Sequence, residues 1–287
     1  MNSKLSRRSF LKGAGVAALG AAAAGALSGC GNGYASAEEG KNLATQAPGV
    51  PSWLGEAPII DEADITETVD TEVVVVGCRT GGLPAVIAAA ENGAQVLGIE
   101  QLSEIATPRE DLGAVNSRYQ LEAFDEFPQF EISKMEIMED IVRYANGFVN
   151  YDLVKLWADE SGAMIDWIAD IVERNGEFRM WFEGSIGTTG QGARDRAWAT
   201  GHSPEKLTDD EGVTFGTVLR DYAEEKGAQF RYNTMLVKCE QDEDGRVTGV
   251  ICRDVNDLHY LRVNASKGVI LATGGYVANT EMVEARQ

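Results

Sequence analysis

Residues Glu72 to Glu100 constrain what this chain can fold into more than any other stretch. Val73, Val74, Val75 and Val76 form a β-branched run without polar alternation, the pattern of a strand buried on both faces of a parallel sheet. The run passes straight into Gly77-Cys78-Arg79-Thr80-Gly81-Gly82, and Leu83 to Asn92 then reads as an Ala-rich helix ended by Gly93. Pro84 fits the first helical turn, where no N–H bond is lost. Gln95 to Ile99 is the next strand, and Glu100 closes it. Strand, glycine turn, helix and strand in this order predict an α/β fold around a central parallel sheet.

The same order has a chemical meaning, that of a Rossmann-like dinucleotide-binding unit. A tight turn aims the helix N-terminus at a pyrophosphate, whose charge the free N–H groups and the helix dipole stabilise. Gly77, Arg79, Thr80, Gly81 and Gly82 are the candidate phosphate contacts. Glu100, with Gln101 beside it, stands where a carboxylate accepts hydrogen bonds from a ribose. One position departs from Gly-x-Gly-x-x-Gly: the central glycine is Arg79, where glycine normally lets the backbone approach the phosphate. Two readings stand. The guanidinium turns to the pyrophosphate or to solvent while Gly81 eases the turn, or the site holds nucleotide weakly or not at all. The intact surroundings make retained binding the expectation.

A chain of 287 residues with 44% hydrophobic content can form one large domain or two small ones. Its net charge is −20, and residues 1–29 hold Lys4, Arg7, Arg8 and Lys12 with no acid, so the remainder is more acidic still. Nucleic acid and anionic lipid are poor partners for such a surface. Ser6-Arg7-Arg8-Ser9-Phe10-Leu11-Lys12, the Gly/Ala stretch from Gly13 to Ala26, and Leu27-Ser28-Gly29-Cys30 together resemble a twin-arginine signal closed by a lipoprotein box. The apolar run falls short of the ~20 residues of a spanning helix. The expectation is cleavage before Cys30, a lipid on its thiol, and a place in the cell envelope on the outer side of the cytoplasmic membrane, held by that anchor alone. A cut after Ala35-Ser36-Ala37 competes and would release a soluble protein. Residues 1–29 are thus the signal and 30–70 a polar, Gly/Pro-containing tether. The export route that this signal resembles carries proteins folded around a cofactor, so a bound group is expected.

There are four cysteines, one of them in the lipoprotein box. Cys239 and Cys252 flank a hairpin signal at Asp242-Glu243-Asp244-Gly245. If Glu243 faces Arg246 across a two-residue turn, Cys239 lies opposite Val250 and Cys252 opposite Val237, which leaves the thiols diagonal and unlinked. Without a Cys-x-x-Cys or Cys-x-x-Cys-His, and with His202 and His259 as the only histidines, the sequence offers neither a haem attachment nor a metal cluster.

Two further segments follow in order. Val213 to Lys226 is an amphipathic helix with Phe215, Val218, Leu219 and Tyr222 on one face, followed by a predicted strand from Phe230 to Val237 and the hairpin's return strand from Val247 to Arg253. Gly268-Val269-Ile270-Leu271-Ala272-Thr273-Gly274-Gly275-Tyr276 is an apolar strand ending in small residues, with Asn279 and Glu281 beyond it. With the fingerprint, these segments resemble the FAD-binding domain of the fumarate reductase and succinate dehydrogenase flavoprotein superfamily, over about Glu72 to Gln287. The relatives' Arg-Tyr-Asn-Thr strand is similar to Arg231 to Thr234, and its backbone beyond the Thr, here Leu236, meets the adenine. Their Ala-Thr-Gly-Gly signature is similar to Ala272, Thr273, Gly274 and Gly275, where the chain passes close to FAD. A Gly-Gly-Asn-Ser-like loop near the flavin ring is matched in part by Gly113, Asn116 and Ser117.

Between these segments, 136–174 reads as mostly helical, with Leu153, Leu156, Trp157, Met164, Ile165 and Trp167 as expected core. Arg179 to Arg196 reads as a Gly-rich irregular loop, and His202 as a structural side chain. The resemblance makes 71–276 an incomplete FAD-binding domain and 277–287 the start of a capping domain that supplies the substrate-binding arginines and histidine, so no catalytic residue is assigned. It implies an FAD-dependent oxidoreductase that moves hydride between flavin and an activated carbon–carbon double bond of a small organic, possibly carboxylate, substrate, fed by a separate electron donor. The alternative is a non-catalytic nucleotide-binding envelope lipoprotein or truncated gene product; an NAD(P)-binding protein is a weaker third.

Overall fold

The structure, a computed structural model, describes residues 58–106, 108–128, 131–183 and 198–285. The signal residues 1–29 with Cys30, and 184–197 of the expected Gly-rich loop, lie outside the described residues. In chain order the elements are β1 (Ile65–Val76), α1 (Gly82–Glu91), β2 (Val96–Ile99), β3 (Leu112–Gly113), α2 (Arg118–Glu126), α3 (Lys134–Tyr144) and α4 (Tyr151–Val172). Then come β4 (Phe178–Phe182), β5 (Gly201–Lys206), α5 (Phe215–Glu225), β6 (Gln229–Arg231), β7 (Thr234–Gln241), β8 (Val247–Asp254), β9 (Tyr260–Leu271) and α6 (Thr280–Glu284). They form two compact units, one of residues up to Glu104 together with Lys226 onward, the other Ile105–Glu225.

The first unit holds a six-stranded sheet in the order β6-β2-β1-β9-β8-β7. The predicted β1-α1-β2 unit is present, with β1 parallel to β2 from Val73↔Val96 to Val76↔Ile99. Leu83, Val86 and Ile87 of α1 are fully buried, each contributing roughly 1.5–3 kcal/mol of apolar burial. The antiparallel hairpin region is β7-β8-β9.

β1 starts at Ile65, so 65–70 belong to the sheet and not to the tether, and Glu62–Asp64 forms a turn of 3-10 helix before it. The stretch Ile65-Thr66-Glu67-Thr68-Val69-Asp70 alternates in burial, and its parallel partner, Tyr260 to Asn264, lies far along the chain. Nothing local distinguishes such a half-polar strand from a polar tether. The predicted strand from Phe230 to Val237 is also broken in two. Asn233 takes a left-handed conformation (φ 51°) between β6, parallel to β2, and β7, antiparallel to β8.

That break has a geometric consequence. Laid flat, six strands about 4.8 Å apart would separate the sheet edges by roughly 24 Å. The three Cα-to-Cα steps from Arg231 to Thr234 reach at most about 11 Å. The sheet therefore curls until its edges meet. The Arg231 guanidinium donates to both Glu67 oxygens, at 2.7 and 2.5 Å, tying edge strand β6 to the early part of β1. Inside the curl, Val74, Val76, Leu97 and Ile99 of the parallel part pack with Val250, Cys252, Leu261 and Val263 of the hairpin region.

The hairpin turn also differs from the sequence reading. Asp242 and Arg246 close a three-residue loop in which Gly245 is left-handed (φ 80°). Cys239 does face Val250, while a bulge at Val237 puts Cys252 opposite Leu236. Cys78, Cys239 and Cys252 are free thiols.

Among its described residues, the second unit has a three-stranded antiparallel sheet, β3-β5-β4, and four helices. Arg179 to Phe182 belongs to β4 and not to a loop. Helix α4 buries Ala158, Gly162, Ile165, Ala169 and Val172 along one face. Leu153 and Leu156, expected in the core, are 62% and 57% exposed, and Met164 is exposed too; Trp157 and Trp167 are half-buried. The helix is apolar on two sides, and the small residues of the other side allow the closer approach. No helix among the described residues is long and apolar enough to cross a membrane.

Candidate dinucleotide site

In the first unit, β1 and β9 run parallel to the register Val76↔Leu271, and this brings the glycine turn beside Ala272-Thr273-Gly274. The Ala272 N–H donates to Val76 O at 2.8 Å. Gly77 has φ 86°, and a Cβ there would lie 2.6 Å from Ala272 O. A Cβ on Gly82 would lie 1.6 Å from Gly77 O. These two glycines are demanded by backbone packing.

Gly81 is different: its φ is −96°, and a Cβ there would meet nothing within 4 Å. Gly274 and Gly275 also face open space. Helix α1 has no side-chain cap at its N-terminus and no acid in its first turn, so its leading N–H groups and dipole act on whatever lies before them. Thr80 and Gly81 are exposed. Arg79 is exposed as well, and its carbonyl accepts the Leu83 N–H at 2.9 Å. It is not among the positive-φ residues, so an L side chain sits there without backbone strain.

Glu100 is 3% exposed. Its Oε2 accepts the Cys78 N–H at 3.0 Å and its Oε1 the Leu102 N–H at 3.1 Å. Each oxygen keeps acceptor capacity for a further donor. Burial, with the Glu100 carboxylate adding to it, pushes the Cys78 thiol far up, so it stays protonated. Gln101 is half-buried just after β2. Leu236 stands in β7 opposite Cys252, its side chain against the core.

Gly113, Asn116 and Ser117 belong to the second unit. Asn116 is left-handed (φ 64°), and its N–H donates to Gln120 Oε1 at 2.5 Å. Ser117 caps α2 by accepting the Gln120 N–H at 3.1 Å, and its Oγ lies 2.6 Å from His202 Nε2. Thr200 O, 2.9 Å from Nδ1, can only accept, so Nδ1 carries the proton and Nε2 accepts from the Ser117 hydroxyl. Burial lowers the His202 pKa, opposed by the hydrogen bonds to the Thr200 and Leu112 carbonyls and by the charges of Asp166 and Glu183. Gln120 Nε2 donates to Ala114 O and Ala199 O, Ser161 accepts the Val115 N–H, and Trp157 donates to Gly113 O. A Cβ on Gly162 would lie 2.4 Å from Val115 O. Sequence reasoning missed Gln120, Ser161 and Gly162; a glycine inside an apolar helical pattern was the one available sign of a close backbone approach.

A parallel β1-α1-β2 unit with an uncapped helix facing open glycines defines a dinucleotide-binding α/β domain. The chain belongs to the FAD binding domain family, whose model matches residues 72–287. It is 26% identical over 219 residues to the vinyl phenol reductase of Lactiplantibacillus plantarum, covering 74% of this chain and 39% of that protein. It is 28% identical to a fumarate reductase (cytochrome) of Shewanella frigidimarina, covering 82% and 39%, and 31% identical to the digoxin reductase of Eggerthella lenta, covering 58% and 28%. The chain thus spans about two fifths or less of these relatives. Its fold matches a flavocytochrome c3 fumarate reductase in the open conformation with a TM-score of 0.58 at 23% identity, covering 78% of this chain and 36% of that one. A 3-ketosteroid-delta4-(5alpha)-dehydrogenase from Rhodococcus jostii matches with the same TM-score at 21% identity, covering 78% and 50%. The cofactor of the family is FAD, and the open cradle at Gly81, Gly274 and Gly275 fits it.

Proposed function

We propose that this chain holds FAD as the nucleotide-binding part of an oxidoreductase that acts on a small organic substrate with an activated carbon–carbon double bond. The observation that carries the reading is the pairing of the Gly77–Gly82 turn with Ala272 to Gly274, where open glycines face an uncapped helix end. Bound FAD supplies the hydride chemistry. In the chain itself, the N–H groups at the start of α1 hold the pyrophosphate with Arg79 and Thr80 at the turn, and Gly77, Gly81 and Gly82 give it room. Glu100 accepts from the ribose, with Gln101 and the Leu236 backbone toward the adenine, while Ala272, Thr273 and Gly274 let the chain pass close to the cofactor. Gly113, Asn116 and Ser117 are assigned to the flavin ring. The Ser117 hydroxyl is committed to His202 and Gln120, so contact there falls to the backbone and to Asn116.

The substrate class is supported by the names of the relatives, reductases of fumarate, a vinyl phenol and digoxin. A separate donor supplies the electrons. The twin-arginine and lipoprotein-box residues support export in the folded state and anchoring through Cys30 on the outer side of the cytoplasmic membrane. The test is the visible spectrum of the full chain purified from cytoplasm, with and without added FAD. A flavin spectrum near one per chain is expected once FAD is added. A colourless chain that takes up no FAD overturns the reading.

A further inference from the structure

Asn116 has a left-handed backbone (φ 64°), a conformation that is costly for an L side chain and lasts only where the surroundings impose it. Here they grip the residue at both ends. Its N–H donates to Gln120 Oε1 at 2.5 Å, and α4 passes so close that a Cβ on Gly162 would lie 2.6 Å from the Asn116 carbonyl carbon and oxygen. Gln120 is fully buried and its amide can face only one way. Its Nε2 donates to Ala114 O at 2.9 Å and to Ala199 O at 2.6 Å, and because carbonyls only accept, Oε1 is the atom left for the Asn116 N–H. The carboxamide of Asn116 is the opposite case: the residue is half-buried, and no hydrogen bond among the described residues engages that side chain. Glycine would take this backbone at lower cost, so what asparagine adds is its carboxamide. A polar side chain carried on a strained and rigidly gripped backbone is one whose direction is controlled.

We propose that Gln120 is a positioning residue for the flavin: it acts through Asn116, fixing the backbone from which the Asn116 carboxamide meets the ring. This rests on the assignment of the Gly113–Ser117 loop to the flavin under the FAD reading above. Gln120 itself is committed to Asn116, Ala114 and Ala199, so its influence on the ring is indirect. A hydrogen bond to the ring acts unequally on the oxidised and reduced flavin, so its loss moves the flavin absorption band as well as the affinity.

The experiment is a double-mutant cycle in the full chain: wild type, Asn116→Gly, Gln120→Met and the two together, each titrated with FAD and with ADP, with the flavin absorption spectrum recorded at saturation. Asn116→Gly removes the carboxamide and eases the backbone, while Gln120→Met keeps the volume and removes the acceptor. Loss of one neutral hydrogen bond predicts roughly fivefold weaker FAD binding in each single variant. The flavin band is displaced alike in both, and combining them adds no further loss or displacement, because one contact cannot be lost twice. ADP, which lacks the ring, binds to all four proteins equally. If circular dichroism shows Gln120→Met unfolded, Gln120→Glu takes its place. Burial and the two facing carbonyls keep its carboxyl protonated, so it still accepts the Asn116 N–H and donates to one carbonyl. Its FAD affinity then falls toward that of Asn116→Gly only as rising pH ionises the carboxyl and drives it from the carbonyls, while the wild type stays level. Losses that add, an equal loss for ADP, or a folded Gln120→Met with wild-type affinity and spectrum overturns the inference while the FAD reading stands. Wild-type FAD binding by Asn116→Gly overturns it together with the assignment of the loop to the ring. A wild type that takes up no FAD overturns the FAD reading itself, and the inference with it.

Discussion

The glycine turn of the first unit and the Gly113–Ser117 segment of the second are both short loops held rigidly, but by opposite means. Around Gly77 and Gly82 backbone meets backbone, and the missing Cβ atoms are what make the approach possible. Around Asn116 and Ser117 side chains do the holding: Gln120 from the next helical turn, and Ser161 and His202 from far along the chain. A loop held by its own glycines announces itself in sequence. A loop held by distant polar groups does not, and it is sensitive to changes far from its own residues.

The largest effect expected from this contrast is at Gly82. Gly82→Ala forces a carbon against Gly77 O and should destabilise the first unit by roughly 4 kcal/mol or more, read as loss of the folded fraction in denaturant. Gly81→Ala, one residue earlier, should change stability by no more than about 0.5 kcal/mol while weakening FAD binding, because its space is kept for a ligand. Equal stability losses at the two positions would erase the distinction drawn between them.

Next in size is His202→Ala, which leaves the Thr200 carbonyl and the Ser117 hydroxyl without a buried partner. It should destabilise the second unit by about 3 kcal/mol in thermal or urea melts. The pH dependence follows from the lowered pKa. The folded protein binds fewer protons at this ring than the unfolded chain does, so stability is complete above the unfolded value near 6.5 and declines as pH falls below it. His202→Gln should flatten that part of the profile of melting temperature against pH; an unchanged profile would mean another group is responsible.

Smaller effects mark the surface. Glu67→Gln breaks the forked pair with Arg231, but both side chains are partly exposed, so the loss should not exceed about 1 kcal/mol. The Arg231 charge holds the Glu67 carboxyl below its ordinary value, mainly through their hydrogen bond, so this contribution fades as pH falls through the carboxylate range. Smallest of all, Leu153→Ser and Leu156→Ser should shift stability by less than about 0.5 kcal/mol. A core-sized loss there would restore the role that hydrophobicity alone assigned to them.

By itself, the sequence determined the elements whose signals are local. The buried valine run, the glycine turn, the helix after it and the existence of the Asp-Gly hairpin, though not the length of its turn, all draw on neighbouring residues, and the structure has them. It also carried the family, because the turn and the Ala-Thr-Gly-Gly strand end are spelled out in short motifs. Only tertiary structure decided the rest. That Ile65 to Asp70 is a strand depends on β9, and that Arg231 to Thr234 turns a corner depends on the sheet curling to meet its own edge. Which face of α4 is buried depends on the backbone approaching Gly162. Each of these is a choice between locally equivalent options, settled by partners far away in the chain, and burial energy belongs to the pair and not to either residue alone.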